Sequence, residues 1–383
     1  MGDAIADLLR GAVEFAGPNG WKYVVMIAVG LVLILLAILK DYEPLLLLPI
    51  GFGCILCNIP LSHAVGPDGF LSVLYNAGIS NELFPVLLFI GIGAMIDFNP
   101  LFTQPVTLFY GAAAQFGIFV AMLLAVCCNF FLVDPFTIRE AAAIGIIGAA
   151  DGPSAIFIGN LFAPKYMGSI MVAAYSYMSL VPIIQPPVVR ALTTRKERLI
   201  RMRISSEKKA PRYIRIAFPI IVTLVAGIVA PMSTSLIGAL MFGNLLRECG
   251  VADKLSQSAQ NELTSLVTLL LGITIGSTMN AQYFITAQTG IILCIGLLAF
   301  VFDTAGGVLF AKLVNLFLPE GRKINPMIGA CGISAFPMSA RIIQKMAQKE
   351  DPQNFIIMPA IGANVAGQVG SIIAAAMILS IFS

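Results

Sequence analysis

Ala143-Ile-Gly-Ile-Ile-Gly-Ala-Ala-Asp151-Gly-Pro-Ser-Ala-Ile-Phe157 places a carboxylate inside an apolar stretch that glycine and proline interrupt. The same skeleton returns in Gly329-Ala-Cys-Gly332-Ile-Ser334-Ala-Phe-Pro337-Met-Ser-Ala-Arg341. Gly145, Gly148 and Pro153 map onto Gly329, Gly332 and Pro337 at one constant offset of 184. A helix broken at Gly-x-x-Gly or at Pro leaves backbone N–H and C=O groups unpaired. In lipid each costs several kcal/mol, so such a break must face protein or a wet cavity. A charge and two matching breaks in apolar sequence point to a transport site rather than a packed core.

The surrounding chain is membrane-grade. Of its 383 residues 58% are hydrophobic and 11% charged, with a mean hydropathy of +0.92. Soluble domains carry about 25% charged residues, which excludes a soluble α/β protein. Tyr23–Leu39 is a 17-residue run without a charge, about 26 Å as a helix and close to the hydrocarbon thickness. Further apolar spans lie near 45–59, 83–96, 105–128, 140–163, 168–189, 213–231, 234–246, 264–279, 283–301, 303–317, 325–341 and 356–382. Those near 83–96, 140–163, 264–279 and 325–341 are short and interrupted, which marks a midplane binding site when they correspond in two halves.

The halves meet at Arg190–Arg215, which holds ten of the 23 basic residues against Glu197 and Glu207. The positive-inside rule puts this loop in the cytoplasm. A membrane-bound linker accounts for the charge, so no nucleic-acid partner is expected. Other segments repeat in the same order. Phe89–Asp97 resembles Leu271–Asn280, Asn81-Glu-Leu83 recurs as Asn261-Glu-Leu263, and Gly168-Ser-Ile170 recurs as Gly370-Ser-Ile372. The expected fold is an all-α polytopic membrane protein with two inverted structural repeats, whose broken helices or re-entrant hairpins meet near the midplane. Its parts are an N-terminal interfacial segment (1–22), a first membrane repeat (23–189), a basic cytoplasmic linker (190–215) and a second membrane repeat (216–383). Ile5, Leu8, Leu9 and Val13 fall near one helical face, and no basic region precedes them as in a signal peptide.

The residues offer a hard-oxygen cage for an alkali cation. Asp151 supplies charge, or alternatively caps a broken helix. Ser334, Asn325 and the carbonyls around Gly329–Ser334 supply neutral oxygens from the other half. Tyr177 offers a hydrogen bond or a phenol for proton transfer. Asn364 and Gln368 stand i, i+4 on one face, and buried amides need partners, so Asn364 is a candidate ligand or support. Asp97 either joins the site or caps the turn Asp97-Phe-Asn-Pro100. Asp303 is either an ion-path carboxylate or a helix end. Arg341 either clamps a carboxylate through its fork or snorkels to the headgroups. The seven cysteines lack framework spacing, Cys54-x-x-Cys57 has no second Cys/His pair, and His63 is the only histidine. Zinc and His-based triads are therefore not expected.

Gly148–Ile156, Ala174-Tyr-Ser-Tyr-Met-Ser179 and Asn325–Arg341 resemble the β subunits of the sodium-translocating, biotin-dependent decarboxylases, which serve oxaloacetate, glutaconyl-CoA, methylmalonyl-CoA or malonate. The resemblance runs from the first membrane segment to the C-terminus. It implies decarboxylation of carboxybiotin, coupled to Na⁺ export with consumption of a proton. It also implies a carboxyltransferase α subunit, a biotin carrier subunit that brings carboxybiotin in trans, and a small membrane-anchored subunit. The assembly would contain several copies of this chain in a bacterial or archaeal cytoplasmic membrane. The family's residues map onto Asp151, Tyr177, Asn325, Gly329, Ser334 and Arg341. Asp151 and Ser334 are tied to Na⁺ and proton exchange, Tyr177 to the same pathway and Arg341 to carboxybiotin. Lys345-Met346 lacks the flanking Met of a biotinylation site, which agrees with biotin arriving in trans. The Arg190–Arg215 loop is a candidate docking surface for the carrier. A stand-alone Na⁺-coupled carboxylate transporter is the rival. A pure membrane anchor leaves Asp151 and its paired breaks unexplained.

Overall fold

The computed structural model describes residue 11 and residues 13–40, 44–103, 105–202, 210–229, 231–319, 322–335 and 338–382. Pro337 of the repeated motif, residues 203–209 of the basic linker and residues 1–10 of the N-terminal segment lie outside the described residues.

The first half runs through α1 (Gly20–Lys40), α2 (Pro44–Cys57), α3 (Phe70–Leu74) with a π-helical turn at Tyr75–Ile79, and α4 (Leu83–Met95). It continues with α5 (Asn99–Thr103), α6 (Thr107–Ala114), α7 (Phe116–Cys128), α8 (Ile138–Gly145), a 3₁₀ turn at Ile146–Ala149, α9 (Gly152–Phe162) and α10 (Met167–Leu192). After the short α11 (Arg195–Arg198) come α12 (Arg212–Val229), α13 (Thr234–Glu248), α14 (Asp253–Ser258) with a π-helical turn at Ala259–Leu263, and α15 (Thr264–Ser277). Then follow α16 (Ala281–Phe284), α17 (Ala287–Phe317), a 3₁₀ turn at Pro326–Gly332, α18 (Met338–Glu350) and α19 (Ile357–Phe382). The described residues contain no strand. Among them four helices are long and apolar enough to cross a membrane, or six if each of two bent pairs is one span.

The interruptions have local causes. α10 bends by 66° near Met178–Leu180, where Pro182 removes the N–H that would bond the Met178 carbonyl. α6 and α7 part at Gln115, whose amide nitrogen donates to the Gly111 carbonyl at 3.1 Å. A capping box between Thr137 and Glu140 starts α8. The expected division near Asp303 is absent, because α17 runs unbroken through it. Asp303 is fully buried inside that helix, its carboxyl set against Gly117 at the start of α7. A neighbouring helix end thus receives the acid, and α17 has no need to terminate there.

Helices far apart in sequence pack in pairs. α2 packs on α15 and α13 on α4, while α19 packs on α6 and α10 on α17. Glycines permit the closest of these approaches. A Cβ on Gly276 would fall 2.3 Å from the Ile50 carbonyl, and one on Gly243 would fall 2.0 Å from the Ile90 carbonyl. α1, α2, α4, α12, α13 and α15 form one set of helices, and α6–α10 with α17–α19 form another. Both broken turns belong to the second set and reach the seam between the two.

Candidate functional site

Ala150 ends the first 3₁₀ turn in the left-handed region, at φ 53° and ψ 36°. That conformation costs a non-glycine residue roughly 1 kcal/mol. It swings the chain so that Asp151 stands at the start of α9 with extended backbone and no side-chain capping bond. The carboxylate is therefore free to meet other groups. Its Oδ2 accepts from Ser154 Oγ at 2.6 Å and from Ser371 Oγ at 3.3 Å. Asp151 is 4% exposed, and no ion pair to it occurs among the described residues. The aromatic ring of Tyr175 covers Gly152, and the buried Tyr175 hydroxyl has no hydrogen-bond partner.

Asp151 opens on a cavity of about 200 Å³ at the seam. One wall comes from Ala150–Pro153, Tyr175, Met178, Ser334, Ala335, Met338 and Gln368. The facing wall is Leu45, Leu46, Leu88, Ile92 and Met95, with Thr264 and Thr268 of α15. The two broken segments thus contribute to one site, on which the two sets of helices close.

The second break differs chemically from the first. Its successive carbonyls are each met by a side chain. Ala330 O accepts from Gln185 at 2.7 Å, Cys331 O from Asn364 at 3.1 Å and Gly332 O from Gln115 at 3.3 Å. Ile333 O accepts from Asn364 at 2.6 Å, and Ser334 O accepts from Gln368. The carbonyls of Ala330–Ser334 thus already serve as acceptors, and amide side chains hold the loop in place of lipid-incompatible free groups. Ser334 Oγ donates to Gly367 O at 3.0 Å, which leaves its lone pairs available.

The other expected residues lie elsewhere in the fold. Tyr177 donates to the Leu293 carbonyl at 2.5 Å and packs beside Phe300, away from the walls that Tyr175 lines. Gly329 sits against Gly307 of α17, where a Cβ would come within 2.0 Å of the Gly307 carbonyl. Asn325 caps the second 3₁₀ turn and donates to the carbonyls of Arg198 and Ile200 at 2.9 and 3.1 Å. Arg341 is exposed on α18 with Lys345 and Lys349 one and two turns on, and among the described residues nothing pairs with it. Asp97 accepts from the Asn99 N–H at 2.8 Å and lies 3.6 Å from Arg247. The Asp303 carboxyl faces the backbone N–H groups of Gly117 and Ile118 at the start of α7.

The start of the basic linker is fastened to this region. Arg198 pairs with Glu350 at 2.9 Å, Arg201 with Asp351 at 2.7 Å and Lys312 with Glu197 at 3.2 Å. The Arg201 hydrogen bond holds the Asp351 carboxyl below the usual carboxylate range. Burial pushes Glu197 up, but the Thr194 N–H and hydroxyl together with Lys312 outweigh it and leave that carboxyl lowered.

Sequence reading passed over Tyr175, Ser154 and Ser371. A signal for Tyr175 existed, since Met167, Met171, Tyr175 and Met178 recur at the helical period and give one apolar face a single hydroxyl. Ser154 stands three residues after Asp151, within reach on a helix that starts there.

A family model described as "Na+-transporting oxaloacetate decarboxylase beta subunit" matches residues 22–382. The chain belongs to this family of decarboxylase β subunits. The methylmalonyl-CoA decarboxylase subunit beta of Veillonella parvula is 49% identical, over 94% of this chain and 93% of its own length. The glutaconyl-CoA decarboxylase subunit beta of Acidaminococcus fermentans is 48% identical, over 99% and 98%. The oxaloacetate decarboxylase beta chain of Klebsiella pneumoniae is 43% identical, over 93% and 94%. The all-helical, multi-pass architecture agrees with a membrane subunit of a Na⁺-transporting decarboxylase. Family membership displaces the stand-alone carboxylate transporter.

Proposed function

We propose that this β subunit decarboxylates carboxybiotin, delivered by a partner biotin carrier, and couples that reaction to Na⁺ export through Asp151. The observation that carries the reading is a buried carboxylate with two seryl donors, placed with Ser334 at the seam of two sets of helices. The site offers one negative charge, so Na⁺ and H⁺ compete for it. Na⁺ is the cargo, held by Asp151 with the neutral oxygens of Ser334 and its surroundings. Asn364 supports that loop through Cys331 O and Ile333 O. Asn325 fastens its far end to the linker, and Gly329 lets it approach α17.

Carboxybiotin loses CO₂ when its carboxylate leaves and a proton takes its place on the ring nitrogen. A proton displacing Na⁺ from Asp151 would supply this need and release the ion. The facing wall is apolar apart from Thr264 and Thr268, so one set of helices can slide along the other without breaking a polar network. Such sliding of one set along the other, each set drawn from both inverted repeats (23–189 and 216–383) joined by the linker 190–215, would expose Asp151 alternately to each side. Arg341 presents a guanidinium fork suited to the carboxyl of carboxybiotin, on the side where the cytoplasmic linker is fastened. Tyr177, Asp97 and Asp303 are secondary members of the pathway. The complex comprises a carboxyltransferase α subunit, a biotin carrier, a small membrane-anchored subunit and further copies of this chain. It resides in a bacterial or archaeal cytoplasmic membrane.

The test is Asp151→Asn in the assembled complex reconstituted into vesicles. Na⁺ uptake and Na⁺-dependent decarboxylation are expected to vanish, and avidin is expected to block the unmodified complex. Full activity of the variant, or indifference to avidin, refutes the assignment.

A further inference from the structure

We infer that Gln368 is a direct ligand of the transported cation, through Oε1, at the cavity that Asp151 lines. This deepens the proposed Na⁺ site and rests on that reading.

The orientation of the amide is fixed by its neighbour. Gln368 Nε2 donates to the Ser334 carbonyl. A carbonyl can only accept, so the amide must turn nitrogen to it and oxygen away. Gln368 is 4% exposed, lines the cavity with Asp151 and Ser334, and its Oε1 has no hydrogen-bond partner. Ser371, one turn further along α19, ties the residue to the carboxylate. Its hydroxyl lies 2.9 Å from the Gln368 carbonyl and 3.3 Å from Asp151 Oδ2.

The polarity of the leftover groups selects the ligand. Gln115 and Asn364 repeat the pattern, each spending its nitrogen on the second break while its buried oxygen lacks a partner. The amide donors are consumed and their acceptor oxygens remain, while the unpartnered Tyr175 hydroxyl at the cavity can accept as well as donate. An anion would need the reverse, whereas a hard cation such as Na⁺ takes oxygen ligands. A buried amide oxygen without a donor is costly, and a bound cation removes that cost. The carboxylate then provides charge, while the amide oxygen provides a neutral ligand held in place by its own nitrogen. Gln368 would therefore govern affinity for Na⁺ and its preference over Li⁺.

The experiment compares Gln368→Leu, Gln368→Glu, Gln185→Leu and Asp151→Asn in the reconstituted complex. The readouts are the Na⁺ concentration for half-maximal decarboxylation, the maximal rate, and the ratio of Na⁺ to Li⁺ activation. Gln368→Leu is expected to raise half-activating Na⁺ at least tenfold, with a smaller loss of maximal rate and a changed Na⁺/Li⁺ ratio. Gln368→Glu keeps an oxygen and adds an ionisable group, so its half-activating Na⁺ should fall as pH rises, more steeply than in the unmodified complex. Gln185 clamps the same loop through Ala330 O without lining the cavity, and Gln185→Leu should leave both cation constants within twofold. Unchanged constants in Gln368→Leu, or an equal shift in Gln185→Leu, overturn direct ligation. If Gln368→Leu fails to assemble, Gln368→Glu decides alone, and an unaltered Na⁺ response with unaltered pH dependence overturns the inference. Asp151→Asn separates the two levels. Intact Na⁺ dependence there removes the underlying site, whereas its loss beside a silent Gln368 removes only the ligand assignment.

Discussion

Gly152→Ala adds one carbon where the structure has no room for it. The new Cβ would lie 2.2 Å from Tyr175 Cζ and 2.4 Å from its Oη. Favourable carbon–carbon contact begins at about 3.5 Å, so the ring would have to retreat by roughly 1 Å or the start of α9 would have to move. Neither is free. Tyr175 is 2% exposed and packed in a cluster with Met171, Ile156 and Met279, and Pro153 restricts the backbone beside it. Overpacking of this kind costs about 1–3 kcal/mol. The displaced group is the hydroxyl beside Asp151, so activity should suffer with stability. In the purified complex the expected outcome is a melting temperature lower by several degrees and decarboxylation reduced about tenfold to a hundredfold. Tyr175→Ala removes the obstacle. The double variant Gly152→Ala/Tyr175→Ala should therefore show a coupling of roughly 1–3 kcal/mol relative to the sum of the single changes. A Gly152→Ala variant with unaltered melting and rate, or strictly additive losses in the cycle, refutes the contact and the role given to it.

Three other outcomes follow from the geometry. Asn325→Ala loses bonds to Arg198 O and Ile200 O, but Asn354 donates to the same two carbonyls at 3.1 and 3.3 Å. Thermal unfolding should show a loss of about 1–3 kcal/mol for the single change and a more than additive loss for Asn325→Ala/Asn354→Ala. Arg341→Lys keeps the charge and removes the fork at an exposed, unpartnered position. Stability should stay within about 0.5 kcal/mol while decarboxylation falls at least tenfold, and an unchanged rate would sink the carboxybiotin contact. Asp351 has a lowered folded pKa, so its link to Arg201 contributes above the unfolded value of about 3.9 and is lost as pH falls through the folded value. A distance measurement between spin labels at Leu199 and Gln353 should stay constant from neutral pH down to about 5 and broaden below about 4. Broadening near neutrality would contradict the clasp.

Much of this was legible in the order of residues. The scarcity of charge dictated a membrane protein. Asp151 with its Gly and Pro neighbours anticipated a broken helix at a buried acid, and the offset between Gly145 and Gly329 anticipated the second break. Legibility failed where one side chain had to choose among neighbours distant in sequence. Tyr175 and Tyr177 are equivalent as phenols two residues apart, and only the packing of α10 sends the former to Gly152 and the latter to Leu293. Asp303 read as either an ion-path carboxylate or a helix end, and only the approach of α7 shows how α17 runs on through it. Arg198 and Arg201 read as free linker charges, yet Glu350 and Asp351, about 150 residues on, engage them.

The sequence by itself determined which groups are costly in lipid: the carboxylates of Asp151 and Asp303, two breaks and a set of amides. Those costs are properties of the residues and hold in any arrangement. The tertiary structure alone decided how each was met. Hydrogen bonds need donor and acceptor within about 3 Å, and amide nitrogens of Gln115 at the α6–α7 junction, Gln185 on α10, and Asn364 and Gln368 on α19 converge on five consecutive carbonyls. That convergence turned the carbonyls of the second break from expected ligands into satisfied acceptors. It left the Gln368 amide oxygen without a donor at the cavity that Asp151 lines.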